Sequence, residues 1–163
     1  MTRSELTALL PLIVPFACAI LVMLGIAYRR TRKLTCGLTC GGLALTFASL
    51  FSAARVAPLQ VTSLLVVDYY TLVFAGLLVL ATLAISLSSR LYLDRKVEHR
   101  EEFSLLLLVS TIGVLTLAGS THFVSLFIGV EILSICLYAL IAYERTVAIR
   151  IEAAIKYLVL ASV

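Results

Sequence analysis

The sequence lacks the motifs that soluble enzymes commonly use for catalysis. It contains no Walker-type phosphate loop, no G-x-G-x-x-G, no H-E-x-x-H, and its two histidines are not spaced as a haem pair. Charged residues make up only 13% of the chain. These absences exclude the usual soluble nucleotide-binding, metalloprotease and haem-binding classes.

The chain is instead dominated by apolar residues. The hydrophobic fraction is 62% and the mean hydropathy is +1.12, well above the roughly 45–50% apolar usage of soluble domains. A fold of this size cannot hide so much apolar surface from water. The net charge of +4 lies in short clusters between apolar runs, a pattern that indicates a membrane protein and not a nucleic-acid-binding face.

The four cysteines do not form a metal-binding pattern. Cys36 and Cys40 are four residues apart, but neither a histidine nor a second cysteine pair accompanies them. Cys18 and Cys136 lie within apolar runs, where a cysteine usually behaves as a small hydrophobic residue. We therefore predict no zinc or iron–sulfur site in this chain.

The apolar runs predict an all-α polytopic membrane protein. A bilayer core needs about 20 apolar residues in a helix. Five runs are adequate: Leu6–Tyr28, Leu34–Ala54, Tyr69–Ser89, Phe103–Ser120 and Phe123–Tyr143. A sixth run opens near Ile149 and is still apolar at Val163, so we expect the start of a sixth helix and a chain that is part of a longer polypeptide.

Lysines and arginines predict the orientation of the five spans. Ten of them fall in the connections after the first, third and fifth runs, whereas the alternate segments hold only Arg3 and Arg55. By the positive-inside rule the N-terminus lies outside and the basic connections face the cytoplasm.

The segment Val56–Val67 predicts non-helical structure on the outer surface. It contains Pro58 and is rich in β-branched residues, which favours an extended or hairpin-like segment before the third helix. Asp68 is then placed to cap that helix. Pro11 and Pro15 lie in the outer half of the first span, where they either kink the helix or mark a late start.

Glu131 is the strongest candidate for function. It lies eight residues after Phe123, about 12 Å into its span, where a charged side chain costs at least ~2.5 kcal/mol and usually faces a bundle interior or a hydrated path. Ser134 and Tyr138 follow on the same helical face. This polar stripe is suited to relaying protons, although a protonated Glu131 that only bonds a neighbouring helix remains an alternative.

Lys156 is the second candidate, near the start of the sixth helix. Glu152 lies four residues before it, the favourable order for an ion pair within a helix. A partly dry lysine responds readily to nearby charge, but Lys156 could equally extend its ammonium group to the membrane surface. His122, at the outer interface, more simply contacts solvent.

Three stretches resemble the subunit N family of proton-pumping NADH:quinone oxidoreductase, respiratory complex I, whose antiporter-like members are related to Mrp antiporters. The stretches are GVEILS at 129–134, LYAL at 137–140 and EAAIKY at 152–157. They lie within about forty residues, and the last resembles subunit N more than subunits L and M or the Mrp-type antiporters. Residues 1–120 resemble the family only in their layout of spans.

The resemblance implies a division and a set of roles. Residues 1–120 would hold helices one to four, and residues 121–163 would begin the proton-translocating domain. Glu131 and Lys156 would be the fifth-helix glutamate and the sixth-helix lysine of a proton relay, with Ser134, Tyr138 and Glu152 in support. The family's further lysines would lie past Val163, which puts pumping by this stretch alone in doubt.

The resemblance also implies partners and a location. The subunit would couple electron transfer from NADH to quinone to proton translocation in a bacterial inner membrane, beside other complex I membrane subunits. NADH, FMN, iron–sulfur clusters and quinone would be bound by those partners. The alternatives are an Mrp-type cation/proton antiporter subunit and a non-catalytic membrane scaffold.

Overall fold

The structure is a computed structural model, and it describes residues 3–28, 32–93, 101–143 and 148–161. The basic clusters on which the predicted orientation depends lie largely outside the described residues. Six helices occupy the described part, with bounds α1 Arg3–Tyr28, α2 Arg32–Ala54, α3 Tyr69–Leu93, α4 Glu101–Ala118, α5 Phe123–Ile141 and α6 Ala148–Ala161.

The five predicted spans are confirmed as helices long and apolar enough to cross a membrane. The crossing segments are Arg3–Tyr28, Leu34–Ala54, Tyr69–Ser89, Glu101–Ala118 and Phe123–Ile141. The two prolines of α1 lie inside a helix that already begins at Arg3, so a late start is wrong. Both Pro11 and Pro15 are buried.

The predicted hairpin before α3 is also confirmed. Strand β1, Leu59–Gln60, pairs antiparallel with β2, Val66–Val67. Asp68 follows directly, and its Oδ1 accepts a hydrogen bond from the backbone N–H of Thr71 at 2.7 Å. This is the geometry of an N-terminal helix cap, and the hydrogen bond lowers the pKa of Asp68. We refer to the bundle end that carries this hairpin as the hairpin side and to the other as the far side.

The core of the bundle lies among α1, α2, α3 and α4. Its most deeply buried large side chains include Val22, Leu43, Val79 and Leu108. Buried hydroxyl groups line the face of α2 and donate to carbonyls of their own helix, as Thr46 does to Gly42 at 2.8 Å. Many large apolar side chains point outward, as expected where lipid is the solvent.

The far side joins α4 to α5 through an aromatic contact. The Tyr143 ring meets Phe103 edge-on at 5.5 Å, and its hydroxyl accepts a hydrogen bond from the backbone N–H of Phe103 at 3.2 Å. Burial raises the pKa of Tyr143. The contact thereby holds α4 and α5 together at the far side.

The predicted division of the chain into residues 1–120 and 121–163 stays a prediction.

Candidate functional site

The hairpin-side end of α5 is fixed by the connection that precedes it. The backbone N–H of Val66 donates to Gly119 O at 2.9 Å, and that of Thr121 donates to Leu64 O at 3.1 Å. The hydroxyl of Ser125 reaches the same Leu64 carbonyl at 2.8 Å. The hairpin therefore holds the first turn of α5, the helix that carries Glu131.

The first residues of α5 are capped by a side chain that sequence reasoning assigned to solvent. His122 is exposed, but its Nδ1 accepts a hydrogen bond from the backbone N–H of Val124 at 3.2 Å. Histidine is not among the preferred N-cap residues. The signal that could have revealed the cap is its position directly before a long apolar run.

The middle of α5 crosses α4 at two glycines. A Cβ built on Gly129 would lie 3.0 Å from Leu117 N and 3.1 Å from Gly113 O, and one built on Gly113 would lie 2.9 Å from Leu133 N. These are backbone atoms, which cannot rotate away. The two helix axes can approach this closely only because both residues lack a side chain.

Glu131 lies on the other side of α5 from this crossing. It is two residues after Gly129, about 200° around the helix, and it is exposed. Phe127, Val130 and Ile135 are exposed near it. The side chain is thus directed away from α4 at mid-depth of the span, instead of into the interior of the described bundle.

Ser134 and Tyr138 continue the face of Glu131 toward the far side. Both are half-buried, and Tyr138 lies seven residues after Glu131, about 20° from it around the helix axis. Three polar side chains therefore follow one line along α5, as the sequence predicted. They span about 10 Å along the helix axis.

Lys156 and Glu152 form the predicted pair on α6. Lys156 Nζ lies 2.6 Å from Glu152 Oε1, with the side chains 69% and 61% exposed. An exposed pair of this kind contributes only about 0.3–0.5 kcal/mol. Because both side chains are exposed, another charged group could approach the Lys156 ammonium or the Glu152 carboxylate.

Helix α6 is joined to α5 by a contact that sequence reasoning missed. The rings of Tyr138 and Tyr157 meet edge-on with centroids 5.4 Å apart. Glu131 and Lys156 do not meet at this ring contact. Glu131 lies about 10 Å from Tyr138 along the axis of α5, toward the hairpin side. Tyr157, the last residue of EAAIKY, was visible in the sequence, but a single sequence does not predict that its ring contacts Tyr138.

The chemistry that this arrangement allows is proton exchange. A carboxyl at mid-depth can take and release a proton, and hydroxyl groups can pass one along with water. Among residues 3–28, 32–93, 101–143 and 148–161, no group of three or more His, Cys, Asp or Glu could hold a metal ion. Cys18 and Cys136 are both buried, as expected of cysteines that lie within apolar runs.

Known proteins share both the sequence and the fold. A family described as NADH:quinone oxidoreductase/Mrp antiporter, TM, matches residues 120–163. NADH-quinone oxidoreductase subunit N of Methylococcus capsulatus (strain Bath) is 47% identical over 160 residues, which is 98% of this chain and 32% of the relative. The similarity thus extends well beyond the forty residues that carried it in the sequence.

A solved structure agrees with the sequence comparison. One chain of the respiratory complex I from Thermus thermophilus with bound aureothin superposes with a TM-score of 0.78 and 27% identity, over 93% of this chain and 33% of that chain. This chain therefore spans about a third of the length of the relatives it matches.

Proposed function

We propose that this chain is part of a subunit N, one of the antiporter-like membrane subunits of NADH:quinone oxidoreductase. In this role it couples electron transfer from NADH to quinone, carried out elsewhere in the complex, to the movement of protons across the membrane. The enzyme activity belongs to the assembled translocase.

The observation that carries this proposal is the line of polar side chains on α5. Glu131 lies at mid-depth of a span whose other members are almost all apolar, with Ser134 and Tyr138 on the same face. An acid at this depth costs at least ~2.5 kcal/mol unless a polar neighbour or water stabilises it. A role in a proton path would explain why an acid stands at this depth despite that cost.

In the proposed mechanism Glu131 is the group that holds the proton. A proton reaches it from the far side along Tyr138, Ser134 and water, and leaves toward the hairpin side. A change of charge near Lys156 and Glu152 alters the field at Glu131 and so its proton affinity. The exposed ion pair supports this step, because it is open to a neighbouring charge.

The proposed setting includes partners and an orientation. The other membrane subunits of the complex flank this one in a bacterial inner membrane, and the redox subunits hold NADH, FMN, iron–sulfur clusters and quinone. We place the hairpin side outside and the far side in the cytoplasm. Labelling of a Ser4→Cys variant by an impermeant maleimide in intact cells tests this orientation, and we expect the new cysteine to be labelled. If this cysteine is labelled only after the cells are lysed, the N-terminus lies in the cytoplasm and the proposed orientation is wrong.

The decisive variant is Glu131→Gln in the complete subunit within the complex. Proton uptake by inverted membrane vesicles is measured per NADH oxidised. We expect this ratio to fall several-fold while assembly persists, because glutamine keeps the shape and cannot exchange a proton. Glu102→Gln, which removes an exposed acid from the first turn of α4, is the matched control and should leave the ratio unchanged.

The alternatives predict different outcomes. If Glu131 has a purely structural role, Glu131→Gln should reduce the amount of assembled complex. The complex that still assembles should then take up the normal number of protons per NADH oxidised. An Mrp-type antiporter predicts sodium-dependent proton exchange without NADH. The 47% identity to a subunit N favours the oxidoreductase.

A further inference from the structure

The contact between Tyr138 and Tyr157 is the one ring-to-ring contact that joins α5 to α6 in the described part of the chain. Its rings meet edge-on at 66° with centroids 5.4 Å apart, a favourable aromatic geometry. Tyr138 belongs to the polar line that begins at Glu131, and Tyr157 is adjacent to Lys156. The contact therefore lies between the two halves of the proposed relay.

The faces of α6 show which side chains attach it to α5. Ala154 is only 7% exposed, and Tyr157 lies three residues later on the same face. Lys156 and Glu152 are each two residues from Ala154, about 200° around the helix. The ion pair thus points away from the face that α6 turns to α5, and it cannot fix how the two helices sit against each other.

The same contact fixes the relative depth of the two helices. Tyr157 lies level with Tyr138, whereas Glu131 lies about 10 Å farther toward the hairpin side. The described part of α6 ends at Ala161, about 6 Å beyond Tyr157 in that direction. A slip of one turn between the helices would change the separation of Glu131 from Lys156 by about 5 Å.

We infer that Tyr157, through its ring contact with Tyr138, is a positioning residue that sets the distance between Glu131 and the Lys156–Glu152 pair. It acts through the packing of its ring and not through its hydroxyl. This inference rests on the proposed relay. It adds a residue that neither carries the proton nor forms the ion pair.

The test uses the whole complex, with protons moved per NADH oxidised as the measurement. Tyr157→Leu should lower this ratio in the same direction and by a comparable amount as Glu131→Gln, with NADH oxidation retained. Tyr157→Phe keeps the ring and should restore the ratio. Tyr70→Leu is the matched control, because the Tyr70 ring meets only Phe74 within α3 among the described rings.

A double-variant cycle tests the contact itself. Tyr138→Leu combined with Tyr157→Leu should lower the ratio no further than the larger single effect, since either change alone breaks the same contact. The ratio is normalised to electron transfer, so partial loss of assembled complex does not disguise the result. Additive single effects, or a Tyr157→Phe variant as impaired as Tyr157→Leu, would overturn the positioning role.

The failure of this inference differs from the failure of the proposed function. If Glu131→Gln lowers the ratio and Tyr157→Leu does not, the relay stands and the positioning role is refuted. If Glu131→Gln leaves the ratio unchanged, the relay itself is refuted, and the inference fails with it.

Discussion

The glycine crossing between α4 and α5 makes a quantitative prediction about stability. In Gly129→Ala the new Cβ would lie 3.0 Å from Leu117 N, 3.1 Å from Gly113 O and 3.2 Å from Leu117 Cα. Favourable contacts of carbon atoms lie near 3.5–4.0 Å, so the helices must separate by about half an ångström. Overpacking of this kind costs typically 1–3 kcal/mol.

A second term acts in the other direction. Alanine is a better helix former than glycine by about 0.8–1.0 kcal/mol in a helix interior. We therefore expect Gly129→Ala to lower the free energy of unfolding by up to about 2 kcal/mol, which is the overpacking cost less the gain in helix propensity.

The chain offers a control that isolates the steric term. Gly41 is also helical, but a Cβ built on it meets nothing within 4 Å. Gly41→Ala should be neutral or stabilising by up to about 1 kcal/mol, since only the propensity term applies.

The assay is SDS titration of the complete subunit in mixed micelles, followed by helical circular dichroism. The steric explanation requires Gly129→Ala to unfold at a lower SDS fraction than the parent and Gly41→Ala at an equal or higher one. If both variants shift together, or if Gly129→Ala is the more stable, the close approach of α4 and α5 does not limit stability and the reasoning is refuted.

The parts of the fold that the sequence predicted are those that depend on local composition. Span positions follow from the length of apolar runs, and the ends differ by only a few residues. Helix α4 begins at Glu101, two residues before the predicted Phe103, because acids in a first turn are favoured by the helix dipole. It ends at Ala118, one residue before Gly119.

The parts that were not predicted depend on which elements meet. The hairpin was expected from Val56–Val67, but its hydrogen bonds to Gly119 and Thr121 join segments more than fifty residues apart in the sequence. Two-residue strands carry no pattern that selects a partner. The glycines of the α4–α5 crossing were visible in the sequence, yet nothing in one sequence pairs Gly113 with Gly129.

The exposure of Glu131 has a similar origin. Depth along a span follows from counting residues, so the mid-membrane position could be derived from the sequence. The face toward which a side chain points depends on the neighbouring helices. Gly129 turns to α4, and this alone directs Glu131 outward. The roles of Glu131 and Lys156 stay predictions.

Two further predictions concern the hairpin side and the α1–α2 contact. Gly42→Ala should destabilise the subunit in the SDS titration, because the new Cβ would overlap Cys18 Sγ and lie 2.9 Å from Cys18 Cβ. Cys18→Ala in the same chain removes the overlap with Sγ but keeps the 2.9 Å contact with Cβ, so it should restore only part of the loss. Additive effects of the two substitutions would contradict the contact. Asp68→Asn tests the cap of α3: asparagine can also cap a helix but does not titrate. The hydrogen bond from Thr71 holds the pKa of Asp68 below its ordinary value, so the extra stability from the charged cap is complete above that value and is lost as the pH falls through the lowered one. The difference in unfolding free energy between the parent and Asp68→Asn should therefore be constant above about pH 5 and shrink below about pH 4. A difference that stays constant across this range would show that the charge of Asp68 contributes nothing to the cap.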